Sequence, residues 1–228
     1  MANLAIIPAR GGSKRIHRKN IKLFLGKPII AYSIEAALKS NLFDEVMVST
    51  DDKEIAEIAI QYGAKVPFLR SENNANDFAV IADVVEEVLI SYSKNNKTFN
   101  NVCCLLPTAP FITASKIIDA HLKMLNEKFD SVFPVLEYSF PIQRSLKMNS
   151  NKVEMVWEEN LNTRSQDLEP RYHDSGQFYW IKVSSFFREN KIFTSNSGAI
   201  IISELEAQDI DTETDWALAE LKYKMTFV

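Results

Sequence analysis

The chain has 228 residues, 46% of them hydrophobic and 25% charged, which suits a single α/β domain with a sizeable core. No apolar run approaches the ~20 residues needed to cross a bilayer, and residues 1–8 lack the basic segment and small-residue cleavage site of a secretory signal, so no membrane is expected as a partner. The net charge of −4 argues against nucleic acid as a partner.

Two cysteines, Cys103 and Cys104, are adjacent in an apolar run. Neighbouring cysteines make a poor disulfide and two thiols make no zinc site, so both read as core residues of a cytoplasmic protein. Charge is unevenly placed. No acidic residue precedes Glu35, while Arg10, Lys14, Arg15, Arg18, Lys19, Lys22 and Lys27 all fall in that stretch, as in a pocket for a small polyanion.

In chain order, residues 3–7 form an apolar strand, followed by a Gly- and cation-rich loop over 8–20. Ile29, Ile30, Ile34, Ala37 and Leu38 have helical spacing behind Pro28, a first-turn residue. Residues 45–49 read as strand. Thr50, Asp51 and Asp52 can cap a helix running through Ile55, Ile58 and Ala59 to Tyr62, which Gly63 ends. Residues 66–69 read as a third short strand and 70–77 as a polar loop, leading into a helix over about 79–93. A turn over 94–101 precedes a strand at 102–106, a loop at 107–110, a helix at 115–126 and a strand at 131–135.

This alternation predicts an α/β fold, a mostly parallel Rossmann-like three-layer sandwich, with ligands beyond the carboxyl ends of the strands. From 137 to 171 the rhythm fails. Short β-like pieces such as 153–157 lie among polar turns, a hairpin-like insertion suited to packing on a second subunit. Residues 178–183 return to strand, 197–202 form a further apolar segment, and 215–225 close the chain as a helix.

Three groups of residues could carry chemistry. Pro8-Ala9-Arg10-Gly11-Gly12-Ser13-Lys14-Arg15 directly follows the first strand. Glycines let backbone N–H groups approach phosphate oxygens, and cations add charge-assisted hydrogen bonds; a solvated basic turn would read alike. The spacing matches neither GxxxxGK[ST] nor GxGxxG, which argues against a dinucleotide-dependent oxidoreductase. Lys19 and Asn20 end the loop, where a lysine can balance charge building on a bridging phosphate oxygen.

Asp209-Ile210-Asp211 places two carboxylates on one side of an extended chain, a set that Mg²⁺ takes beside phosphate oxygens and water. Asp211 and Thr212 suit a helix cap equally well. His173-Asp174-Ser175-Gly176-Gln177-Phe178-Tyr179-Trp180 mixes polar donors with aromatics, as a sugar or base pocket does. His17 and His121 have no such context.

Together these residues resemble the acylneuraminate cytidylyltransferases. Ile6-Ile7-Pro8-Ala9-Arg10-Gly11-Gly12-Ser13-Lys14, with Lys19-Asn20 behind it, is similar to that family's nucleotide-binding motif. Val48-Ser49-Thr50-Asp51, Arg70 and Asp209-Ile210-Asp211 extend the likeness, in order, over essentially the whole chain. Arg15-Ile16, Lys19-Asn20-Ile21-Lys22, Phe140-Pro141-Ile142-Gln143-Arg144 and residues 173–180 look most like the pseudaminate-activating branch.

The resemblance implies one nucleotidyltransferase domain over residues 1–228, with 137–171 as a dimerisation and sugar-binding insertion exchanged within a homodimer. It implies CTP and an acidic nine-carbon sugar as substrates, CTP plus pseudaminate giving CMP-pseudaminate and diphosphate, Mg²⁺ as cofactor, and a flagellin or surface glycan as destination. Pro8, Ala9, Arg10, Gly11, Gly12, Ser13, Lys19, Asn20 and Arg70 would hold the nucleotide, with Arg10 and Lys19 catalytic. Asp209 and Asp211 would bind the metal, and Arg164, Arg171, Gln177, Tyr179 and Phe193 would face the sugar.

Sialate-activating members carry Gln and Arg where this chain has Leu106 and Ile112, which points away from N-acetylneuraminate. N-acetylneuraminate or legionaminate activation is the alternative. A non-catalytic nucleotide sensor is the alternative of another class, and Lys19, Asp209 and Asp211 together argue against it.

Overall fold

The computed structural model describes residues 1–76 and 78–227; Asp77 of the polar loop lies outside them. The chain begins with β1 (Asn3–Pro8) and a loop, then the short hairpin of β2 (Leu23–Phe24) and β3 (Lys27–Pro28). Its turn residues Leu25 and Gly26 both have positive φ, 48° and 85°, as a type I′ turn requires. Next come α1 (Ile29–Ser40), β4 (Glu45–Ser49), α2 (Lys53–Gln61), α3 (Ile81–Lys94), β5 (Asn101–Leu105), α4 (Ala114–Asn126) and β6 (Ser131–Glu137). An exposed hairpin, β7 (Leu146–Asn149) and β8 (Lys152–Met155), precedes β9 (Tyr172–Asp174), β10 (Phe178–Lys182), α5 (Val183–Glu189), β11 (Ser197–Ile201) and α6 (Glu213–Phe227).

The main sheet runs β11-β6-β10-β5-β1-β4, with β9 paired to β6. β1 pairs in parallel with β4 and β5, as does β6 with β11. β10 is antiparallel between β5 and β6, and β9 is antiparallel to β6. The sheet is therefore mostly parallel, with two reversed strands, β9 and β10, contributed by the chain after residue 171.

Period-two burial on both faces makes this a three-layer structure. Ala5, Ile7, Val46, Val48, Cys103 and Leu105 pack with residues of α1, α2 and α4. Leu4, Ile6, Met47, Val102 and Cys104 pack with α3 and α5 on the other side. The two free cysteines thus face opposite layers, and burial pushes the Cys104 thiol up to about 12, the behaviour of a core residue.

A separate apolar cluster joins Ile16, Phe24, Ile29, Phe111, Ile210, Trp216 and Ala219. It ties the loop after β1 to the segment before α6, the two stretches that carry Lys19 and the aspartate pair.

Two expectations need correction. Residues 66–69 do not form a strand; a single bridge from Met47 to Lys65 is made just before them, and Pro67 has no N–H to extend a ladder. Residue 183, read as the end of a strand, instead begins α5, a helix the sequence reading did not place. Among the described residues no helix is long and apolar enough to cross a membrane.

Candidate active site

β4 lies on one side of β1 and β5 on the other, so the crevice beyond their carboxyl ends is a topological switch point, where open α/β sheets bind ligands. A cleft of about 440 Å³ opens there. Pro8, Arg10, Ser13, Lys19, Asn20 and Arg70 line it, with Val80, Ile81, Leu106 and Thr108 opposite. A second cleft of about 510 Å³ also has Leu106 in its wall, together with Leu136, Asp174, Ser175, Gly176, Gln208, Asp209 and Lys222. Leu106 therefore stands between two adjoining spaces.

The loop after β1 is fixed along its length. Ala9 N–H donates to Ser49 O at 2.9 Å, and Gly11 N–H donates to Asp51 Oδ1 at 3.0 Å. The Gly11 amide thus serves the loop's own anchorage, and Ala9 is buried behind the cleft. Asn20 is buried, with Nδ2 donating to Arg10 O at 2.8 Å. Arg10 Nη1 donates to Asn76 O at 3.0 Å, which brings the polar loop over the site.

Arg70 is 8% exposed, its Nε on Ser49 Oγ at 3.0 Å and its Nη2 on Ser49 O at 2.5 Å. Burial lowers its pKa while the Asp51 carboxylate opposes the fall, and a guanidinium keeps its charge in such a place.

Lys19 Nζ donates to Ile210 O at 2.6 Å and lies 3.6 Å from Asp211 Oδ1. Arg15 also pairs with Asp211, at 2.7 Å. Partial burial first and the Asp211 carboxylate second push the Asp209 pKa up, as for a carboxylate desolvated beside a like charge. Among the described residues no cluster of three or more metal-binding side chains occurs. A carboxylate pair completed by phosphate oxygens and water is how Mg²⁺ is held with nucleotides, and this pair, under mutual repulsion beside the phosphate-sized cleft, fits that ion.

The residues expected to face the sugar are dispersed. Gln177 is 2% exposed, its Nε2 donating to Glu206 O at 2.5 Å. Tyr179 O–H donates to Asp174 Oδ2 at 2.6 Å, and Phe193 packs edge-on against Tyr179 and Phe133. Arg164 pairs with Asp167 and Arg171 with Glu169; both lie between β6 and β9 and line neither cleft. Ser175, whose buried Oγ has no hydrogen-bond partner, and Lys222, which donates to Glu204 O and Ala207 O at 3.0 Å each, belong to the second cleft. Nothing in the sequence singled out Lys222, because it sits in the middle of a helix.

A family model described as cytidylyltransferase matches residues 4–223. The chain belongs to the cytidylyltransferase family. This cytidylyltransferase is 43% identical over 226 residues to the pseudaminic acid cytidylyltransferase of Campylobacter jejuni, covering 99% of this chain and 97% of that protein. It is 36% identical to the CMP-N,N'-diacetyllegionaminic acid synthase of Legionella pneumophila, covering 96% and 95%. In fold it is similar to a CMP:2-keto-3-deoxy-manno-octonic acid synthetase solved with CTP, with a TM-score of 0.69 at 17% identity over 99% and 98% of the two chains.

Proposed function

We propose that this cytidylyltransferase joins CTP and pseudaminate to give CMP-pseudaminate and diphosphate, with Mg²⁺ as cofactor. The observation that carries the reading is the convergence of Arg10, Ser13, Lys19 and Asp209–Asp211 where two clefts meet. One cleft has cations for a triphosphate, and the other has room and polar groups for a sugar. The family membership and the similarity to a pseudaminic acid cytidylyltransferase support the choice of substrates.

In this reading Arg10 and Ser13 hold the triphosphate, while Asn20 and Arg70 contact the nucleotide. Lys19 neutralises charge that builds on the α-phosphoryl group, an interaction strongest in the transition state. The sugar's anomeric hydroxyl attacks the α-phosphorus in line, the bond to the bridging oxygen breaks, and diphosphate leaves. Asp209 and Asp211 hold Mg²⁺, which supplies Lewis-acid polarisation of phosphate oxygens when bound. Leu106 and Leu136 give the sugar cleft an apolar wall, suited to a deoxy sugar.

The protein acts as a cytoplasmic homodimer, and the exchanged insertion brings Arg164 or Arg171 to the sugar carboxylate of the other subunit. The product serves a flagellin or surface glycan.

Diphosphate release from CTP and Mg²⁺ with pseudaminic, legionaminic and N-acetylneuraminic acids tests this. Release with pseudaminic acid is expected, and it is expected to fail in Asp211→Ala. Release with another acid alone would replace the sugar, and silence with all three would refute the reading.

A further inference from the structure

Arg18 lines neither cleft and has no part in the mechanism above. Its backbone is left-handed, with φ 52° and ψ 34°, a conformation that costs an L-residue other than Gly or Asn. Its carbonyl accepts from Ile21 N–H and Lys22 N–H at 3.0 Å each. Arg18 therefore starts the single turn that presents Lys19 and Asn20.

The guanidinium, 26% exposed, donates to both oxygens of Asp52, at 2.5 and 3.1 Å, and also to Glu54. Asp52 in turn caps α2, accepting from Ile55 N–H at 3.0 Å. Its neighbour Asp51 receives the Gly11 amide. The loop is thus fastened to the start of α2 near its beginning and at its end, and Lys19 follows the second fastening directly.

A bidentate guanidinium–carboxylate bond fixes orientation as well as distance, and α2 is seated on the sheet through buried Ile55 and Ala59. An unfavourable φ is kept where surrounding bonds over-determine it.

We infer that Arg18 is a positioning residue: through Asp52 it fixes the backbone from which Lys19 reaches the α-phosphoryl group. The inference rests on the reading of Lys19 given above, and the test separates the two.

Steady-state kinetics and thermal unfolding are measured for Arg18→Gly, Asp52→Asn, Lys19→Ala and the double variant of Arg18→Gly with Lys19→Ala. Glycine suits a φ of 52°, and asparagine caps a helix as well as aspartate, so both variants keep the fold. Each is expected to unfold cooperatively at a temperature somewhat below the wild type's, because the Arg18–Asp52 bond is lost, and to lose on the order of 10- to 100-fold in kcat, with KM for CTP moving less. In the Lys19→Ala background Arg18→Gly is expected to cost nothing more, because residues acting as a unit are not additive.

Full kcat in Arg18→Gly and Asp52→Asn would overturn the inference, as would an equal loss with and without Lys19. Should Arg18→Gly fail to fold, Asp52→Asn in the same cycle decides. Full activity in Lys19→Ala would overturn the reading of Lys19 and the inference with it.

Discussion

Gly11 and Gly12 are adjacent and of one type, yet their surroundings differ. A Cβ on Gly11 would lie 2.7 Å from Asp52 Oδ2 and 3.0 Å from Asp52 Cβ, whereas a Cβ on Gly12 would meet nothing within 4 Å. Asp52 cannot swing aside cheaply, since Arg18 and the first turn of α2 hold its carboxylate, and the Arg18 bond keeps that carboxylate below the usual range. Gly11→Ala must move the loop instead. Overpacking of this kind costs about 1–3 kcal/mol. In a chain of this length that lowers Tm by roughly 2–4 °C per kcal/mol. Differential scanning calorimetry is expected to show the fall for Gly11→Ala and an unchanged Tm for Gly12→Ala, and equal Tm values in the two variants would contradict the contact with Asp52.

At the scale of elements, α4 and the short turn Glu204–Glu206 are joined by an ion pair, Lys116 Nζ to Glu206 Oε1 at 2.9 Å. Burial alone would raise the Glu206 pKa; Lys116 and the Ser203 amide and hydroxyl outweigh it and bring the value to about 2 from the ordinary 4.5. Because the folded value is the lower one, this pair contributes in full above pH 4.5 and is lost as pH falls toward 2. Glu206→Gln is expected to lower Tm at pH 7 and to flatten its decline between pH 4.5 and 2, which thermal melts across that range would measure. The same turn lies three residues before Asp209, and Gln177 and Lys222 pin its carbonyls. That arrangement was not legible in the sequence, because Lys116, Gln177, Glu206 and Lys222 are far apart in the chain and carry no period. The nucleotide side was legible, since Pro8 to Asn20 form one continuous loop whose composition states its chemistry. The helix α2 was also legible from its cap at Asp52, and α4 as a helix over 115–126, though its cap at Thr113 was not. The reversed direction of β10 was not, because apolar alternation gives a strand and its faces but never its direction.

At the scale of the molecule, both faces of the main sheet are covered by helices, while the chain between β6 and β9 has no such cover. Phe140 is 85% exposed and Met148 74%. Leu146 pairs with Met155 and Met148 with Val153 across β7 and β8, so one face of the hairpin is apolar throughout. A two-stranded hairpin is marginal in water by itself, and an apolar patch of this kind marks a protein contact. Self-association about a twofold axis would cover the patch on both copies at once. Sedimentation equilibrium is therefore expected to give twice the 26.0 kDa of the chain. The double variant Leu146→Glu, Met148→Glu is expected to sediment as a monomer that keeps its main sheet, because neither strand of the hairpin belongs to it. Arg164 and Arg171 lie in the same segment, so the monomer should bind CTP as the wild type does while its KM for the sugar rises. A wild-type monomer would remove the exchanged insertion from the mechanism. A monomeric variant with an unchanged KM for the sugar would instead confine the sugar site to Ser175, Gln208 and their neighbours in the second cleft.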